Sequence, residues 1–210
     1  MKLWLLHDPA IPKTTIDAIL ATPNHALAQI ERVLPYELPV VFAEKDEHEG
    51  FSTDPLARRS QYVFVERGAE KRIEASLFVL DALEKVVSAF PTFSGRVAVL
   101  TNRPLTAPIS IKDLSIGEGF LHEWVDVFGM HLQNRGLVVS THGLTEEQIV
   151  KLWRHETAHI VLNALSRPGL NDGHCTNADC LFKPLYDVGD IDSVLDFCAE
   201  CSAVLAKYSV

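Results

Sequence analysis

His155 and His159 stand four residues apart, with Glu156 directly after the first. On a helix that spacing puts both imidazoles on one face, about one turn apart, where two ring nitrogens can reach a single ion. Zinc held in this way acidifies a water, and a carboxylate beside the first ligand is placed to take that water's proton. His155-Glu156-Thr157-Ala158-His159 thus carries the parts of a zinc hydrolase centre, short of a third ligand. The candidates for that ligand are His174, Asp172 in an Asn-Asp-Gly turn, and a more distant carboxylate such as Glu200.

All four cysteines fall in one downstream run. Four residues separate Cys175 from Cys180, two separate Cys198 from Cys201, and seventeen lie between the pairs. Each short pair can grip one edge of a tetrahedron, which is what a closed structural zinc site requires. Two disulfides are the alternative, and the compartment decides between them. Leu3-Trp4-Leu5-Leu6 is too short an apolar run for the core of a secretory signal, so a cytoplasmic protein with reduced thiols is expected, which favours metal.

The two motifs together resemble the archaemetzincins, a branch of the metzincin metallopeptidases. The resemblance rests on His155-Glu156-x-x-His159, His174-Cys175-x-x-x-x-Cys180 and Cys198-x-x-Cys201. Asp190-Ile191-Asp192 and Phe197-Cys198 add to it, as do weaker echoes in Ser60-Gln61-Tyr62 and in Trp124 to Gly129. It covers residues 55–205, most strongly the last sixty. It implies a peptidase with two zinc ions: a catalytic one on His155, His159 and His174, and a structural one on Cys175, Cys180, Cys198 and Cys201. Glu156 would be the general base and a peptide or small protein the substrate. The segment from Trp124 to Phe128 would be the cleft's edge strand, holding an extended substrate by main-chain hydrogen bonds.

The chain departs from the family's pattern at two places. Metzincins place the third histidine six residues after the second, with a Gly midway that ends the helix. Leu162 stands at the Gly position here, and His174 comes fifteen residues after His159. The extra residues include Arg167-Pro168-Gly169 and Asn171-Asp172-Gly173, which form turns. A helix running to about residue 166 and a hairpin-like insertion returning His174 to the metal are therefore expected. The family's methionine turn carries Phe182 in place of Met, and an aromatic ring can fill the space beneath the ligands.

Composition fits one domain spanning 1–210. A chain of 210 residues, 47% hydrophobic, can bury a full core. No apolar run approaches the ~20 residues that cross a membrane. Net charge is −9, and residues 171–210 hold seven acids against two lysines, the wrong sign for a zinc ribbon gripping nucleic acid.

The pattern predicts strands at 2–6, 38–44, 96–100 and 136–140, and a charged loop over 44–55. Helices are predicted over 14–34 (interrupted at Pro23), 70–90, 145–166 and 190–207. The 70–90 helix would turn Ile73, Leu77, Leu80, Leu83, Val87 and Phe90 to the core. This is an α+β order. It matches a zincin-like mixed twisted sheet with an active-site helix, 1–165 forming the upper subdomain and 166–210 a four-cysteine zinc subdomain. His122 and His131 flank residues 124–128 and could line a cleft, but read better as surface or core histidines, and His142 precedes the motif by too much to join it. Tyr186 and Tyr208 read as core or rim residues in preference to oxyanion donors, and 106–119 as a lid or long loop. Two other functions fit the same residues: a catalytically weak relative that binds a peptide or protein partner, and a zinc hydrolase of non-peptide amides or esters.

Overall fold

The computed structural model describes residues 2–22, 29–36, 64–67, 70–112, 120–132, 135–162, 170–171 and 174–208. In chain order the elements are β1 (Lys2–His7), α1 (Lys13–Leu20), β2 (Gln29–Pro35), β3 (Phe64–Arg67), β4 (Glu70–Glu74), α2 (Ala75–Ala89), β5 (Arg96–Thr101) and β6 (Leu105–Lys112). There follow β7 (Phe120–Val127), β8 (Gly129–Leu132), β9 (Gly136–Ser140), α3 (Glu146–Leu162), β10 (Leu170–Asn171), β11 (His174–Cys175), α4 (Val188–Ser193) and α5 (Ala199–Ala206).

The main sheet has the order β2-β1-β5-β9-β8. Its first four strands run parallel, and β8 pairs antiparallel with β9 at the edge. The central strands are almost continuous apolar runs because both of their faces are covered. Alternation along them divides the core. Leu3, Leu5, Ala98, Leu100, Leu137 and Val139 pack with Ile16 and Ile19 of α1 and Ile149, Leu152 and Trp153 of α3. Trp4, Leu6, Val97, Val99 and Val138 meet Phe78, Val79, Ala82 and Val86 of α2 on the other side. A second sheet, β3-β4-β6-β7, runs on from the first through Phe128, between β7 and β8. The fold is α+β with a mixed sheet, as expected. Among the described residues no helix is long and apolar enough to cross a membrane.

Five expectations are corrected. Gln29 to Leu34 is a strand, not the end of a helix. Ile30 and Leu34 imitate a helical repeat, but an irregularity in the pairing with β1 skips Glu31 and sends them to opposite core clusters. The helix expected from residue 70 starts at Ala75. Glu70 to Glu74 is a strand, and the buried Glu74 carboxylate accepts from the Ser76 and Leu77 N–H groups as an N-cap. Its core stripe ends on Ala82 and Val86, leaving Val87 and Phe90 exposed. The last helix is broken in two, α4 and α5, around residues 194–198. The start of the supposed lid is strand β6. The strand at 38–44, the loop at 44–55, residues 60–62 and the turns at 167–169 and 172–173 lie outside the described residues, as does the remainder of the lid.

Candidate metal centre

Gly143, with φ +69, takes the left-handed turn that leads into α3. Thr145 and Gln148 then cap the helix reciprocally: the Thr145 N–H donates to Gln148 Oε1 (2.8 Å) and the Gln148 N–H to Thr145 Oγ1 (3.3 Å). Glu146 and Glu147 in the first turn suit the positive end of the helix dipole. Ile149, Leu152 and Trp153 press one side of α3 onto the sheet. Ala158 and Leu162 on another side enter a third cluster with Cys175, Cys180, Phe182, Cys201 and Leu205. Leu162 is fully buried there, so α3 is still helical at the family's glycine position; the expected continuation to residue 166 lies outside the described residues.

His155 and His159 are both buried, and their Nε2 atoms lie 3.1 Å apart. His155 Nδ1 lies 2.8 Å from the Leu181 carbonyl. A carbonyl can only accept, so Nδ1 carries the proton and the Nε2 lone pair is free for an ion. β10 and β11 pair antiparallel, Asn171 opposite His174, and this short hairpin delivers His174 to the same point. Donor atoms of His155, His159 and His174 lie within 4.8 Å of one another. Tetrahedral zinc with ~2.0–2.1 Å bonds to nitrogen needs ligand atoms ~3.3 Å apart, so the set fits zinc. Glu200 is exposed, and Asp172 lies outside the described residues. Burial, and secondarily the neighbouring His174, pull His155 down to about 4, against the opposing effect of the Leu181 carbonyl. The ring is thus held neutral, the form that binds metal.

Phe182 is fully buried beneath these rings. Its centroid is 5.5 Å from that of His155, 4.6 Å from His159 and 5.7 Å from His174. Its backbone also accepts from the Cys175 N–H and donates to Cys180 Sγ, so one residue supports both centres.

Sγ atoms of Cys175, Cys180, Cys198 and Cys201 form the second cluster. The Cys175–Cys198 sulfur separation is 3.8 Å, which is the edge of a tetrahedron with ~2.3 Å zinc–sulfur bonds and far beyond the ~2.05 Å of a disulfide. Backbone N–H groups of Phe182 and Cys198 donate to Cys180 Sγ at 3.4 and 3.2 Å. Burial alone would raise Cys198. The Cys201 N–H and neighbouring thiols outweigh it and pull that thiol down, and Cys198 sits as the N-cap of α5, where the helix dipole also favours a thiolate. Burial pushes Cys180 up. The unit is latched to α3 by Gln148 to Asp192, Lys151 to the Ile191 carbonyl and Arg154 to Asp196, three residues apart on one helix face.

A cleft of about 330 Å³ opens over the histidines, lined on one side by residues 127–131 and on the other by Pro184 and Leu185. α3 packs on β8 and β9, and β8 is the edge strand of the two. Trp124 to Val127 belongs instead to β7, at the edge of the second sheet, so the expected position of the cleft's edge strand shifts by a few residues. Glu156 lines the cleft and is buried, with Oε2 lacking a hydrogen-bond partner among the described residues; burial raises it to about 8. A Cβ on Gly129 would meet Glu156 Oε1 at 2.6 Å, so the carboxylate lies directly on the strand's backbone. Gly129→Ala should therefore displace Glu156 and lower any turnover that uses it by ~10-fold or more, while sparing the metals. Rates beside zinc content check this, and unchanged rates would refute it.

For His131 it is the less favoured of the two sequence readings, a place in the cleft, that the structure bears out. It lines the cleft, stacked on His159 at 5.7 Å. Strand alternation from Gly129 could have decided for the cleft, but that required knowing which face of β8 met the helix. Tyr186 is 78% exposed, and Tyr208 packs beside the cysteine cluster.

No protein-family model and no curated protein matches the chain. Among solved structures it is similar to archaemetzincin from Methanopyrus kandleri, with 21% identity, 99% of this chain and 94% of that one covered, and a TM-score of 0.53. It is also similar to archaemetzincin from Archaeoglobus fulgidus complexed with malonate (20%, 97% and 99%, TM-score 0.47) and to a zinc-dependent peptidase from Methanocorpusculum labreanum (17%, 97% and 99%, TM-score 0.45). The match to the first over nearly the whole of both chains shows that this chain has the archaemetzincin fold.

Proposed function

We propose that this chain is a zinc-dependent metallopeptidase. The observation that carries the reading is the convergence of His155, His159 and His174 in one cleft with the buried carboxylate of Glu156, whose Oε2 has no hydrogen-bond partner among the described residues. His155, His159 and His174 would hold one zinc, and Cys175, Cys180, Cys198 and Cys201 a second, structural one. The catalytic ion, when bound, supplies Lewis acidity to water and to the scissile carbonyl. Glu156 takes the proton of the attacking water and passes it to the leaving amine. Its burial among apolar groups raises its basicity, and a cation nearby keeps it ionised. Gly129 lets the carboxylate sit against β8, and an extended peptide can add to that strand's free edge as a further strand. The chain acts as a single domain in the cytoplasm, where the four thiols stay reduced.

Zinc analysis with a peptide-library digest tests the reading. Two zincs per chain and cleavage of peptides are expected; turnover of esters with no peptide cleaved would overturn it. The ligand set has its own test. His174→Ala should retain one zinc, the cysteine-bound one, and lose hydrolysis; retention of both ions would remove His174 from the set.

A further inference from the structure

We infer that His131 is a second catalytic residue of this cleft, donating a hydrogen bond to the carbonyl oxygen of the bond under attack. The inference rests on the metallopeptidase reading and adds a residue to it.

Three observations on β8 carry it. Side chains alternate along a strand. Met130 and Leu132 pack into the core cluster beneath α2, which turns Gly129 and His131 toward α3. Gly129 abuts Glu156, and the His131 ring lies parallel to that of His159, at an interplanar angle of 5°. The strand thus sets His131 two residues, ~6.7 Å, along from the point where the base rests. A substrate carbonyl between them would be attacked from the Glu156 side and carry its developing charge toward His131. Finally, His131 Nε2 is buried and has no hydrogen-bond partner among the described residues. A buried ring nitrogen without a partner is costly, and a substrate oxygen in the cleft would satisfy it.

His131 is not one of the metal ligands: the cluster of converging donor atoms comprises only His155, His159 and His174 among the described residues. A neutral imidazole carries one N–H, so the role needs the tautomer with that proton on Nε2 and does not need a charged ring. A donor aimed at an oxygen that gains charge stabilises the transition state more than the substrate, so kcat should move and KM should not.

The test uses the zinc-loaded full chain, with His131→Phe and His131→Gln. Phe keeps a flat ring for the stack on His159 but loses the donor, and Gln keeps an N–H of similar reach. The probe is a peptide phosphinate, whose tetrahedral phosphorus places an oxygen where the attacked carbonyl oxygen would be. His131→Phe should keep both zincs, bind the phosphinate ~10–100-fold more weakly, and lose ~10²-fold in kcat with KM within a few-fold. His131→Gln should recover part of both losses. Equal phosphinate affinity in wild type and His131→Phe would overturn the inference alone. Loss of a zinc in His131→Phe would also overturn it, making the residue a ligand. A wild type that holds zinc yet neither binds the phosphinate nor cleaves peptides would bring down the metallopeptidase reading itself.

Discussion

Glu156→Gln is expected to lower peptide hydrolysis by ~10²–10⁴-fold while both zincs stay bound. Gln has nearly the same volume and shape, so it fits the space against Gly129 that Glu156 occupies. It cannot take a proton from water, and that is the function the proposal gives to this side chain. Zinc content separates this outcome from a collapsed site, and unimpaired hydrolysis by a fully loaded variant would end the general-base role.

The same substitution has a second signature that needs no substrate. In the protein without a metal at the histidines, burial raises Glu156 from 4.5 to about 8. Between those values the folded chain holds a proton that the unfolded chain has released. More protons bound in the native state means that stability falls as pH rises, by up to ~1.4 kcal/mol per unit across that window. Gln has no such proton. With the histidine site stripped and the cysteine zinc retained, wild type should lose stability from pH 5 to pH 8 relative to Glu156→Gln. Parallel stability profiles for the two would show that the carboxylate is not buried as described.

Signals that depend on local chemistry were legible in the sequence. The histidine spacing, the capped start of α3 and the paired cysteines each follow from geometry within a few residues. The apolar runs of β1, β5 and β9 also read correctly, because burial on both faces leaves no polar position to confuse them. Misreadings came where a tertiary contact overrides a local pattern. In β2 one skipped residue undoes an apparent helical repeat. At Glu74 an uncommon capping residue hides a strand-to-helix junction inside a continuous apolar stripe. Between α4 and α5 the chain breaks so that the Leu181 N–H can bond the Asp196 carbonyl and Cys198 can reach the thiol cluster. His131 was discounted for the same reason: its partner in the cleft, His159, lies across a β–α packing interface that no sequence interval encodes.

Cys198→Ser tests whether the second centre holds the first in place. Cys198 closes the cluster in three ways. Its sulfur approaches Cys175, its N–H donates to Cys180 Sγ, and it stands at the N-cap position of α5. A serine hydroxyl suits the N-cap position but is a poor zinc ligand, so one zinc should be released. Binding free energy of a structural zinc is folding free energy, and at ~2–4 °C per kcal/mol for a domain of this size the melting temperature should fall by ~10 °C or more. Damage should also spread, because the residues that brace the histidines lie within this unit. Leu181 orients His155 through its carbonyl, and Phe182 supports all three rings. Affinity for zinc at the histidines should therefore drop as well, although no histidine has changed. Acid should act on the wild type in the same direction. Cys198 is held below the ordinary thiol range, so its contribution is present above the unfolded value and is lost as pH falls through the folded one. Zinc release followed by a thiol-reactive dye during acid titration should precede loss of helical signal. Two disulfides and no metal in the native protein, or a Cys198→Ser variant that melts with the wild type, would show that the cluster does not hold the catalytic site together.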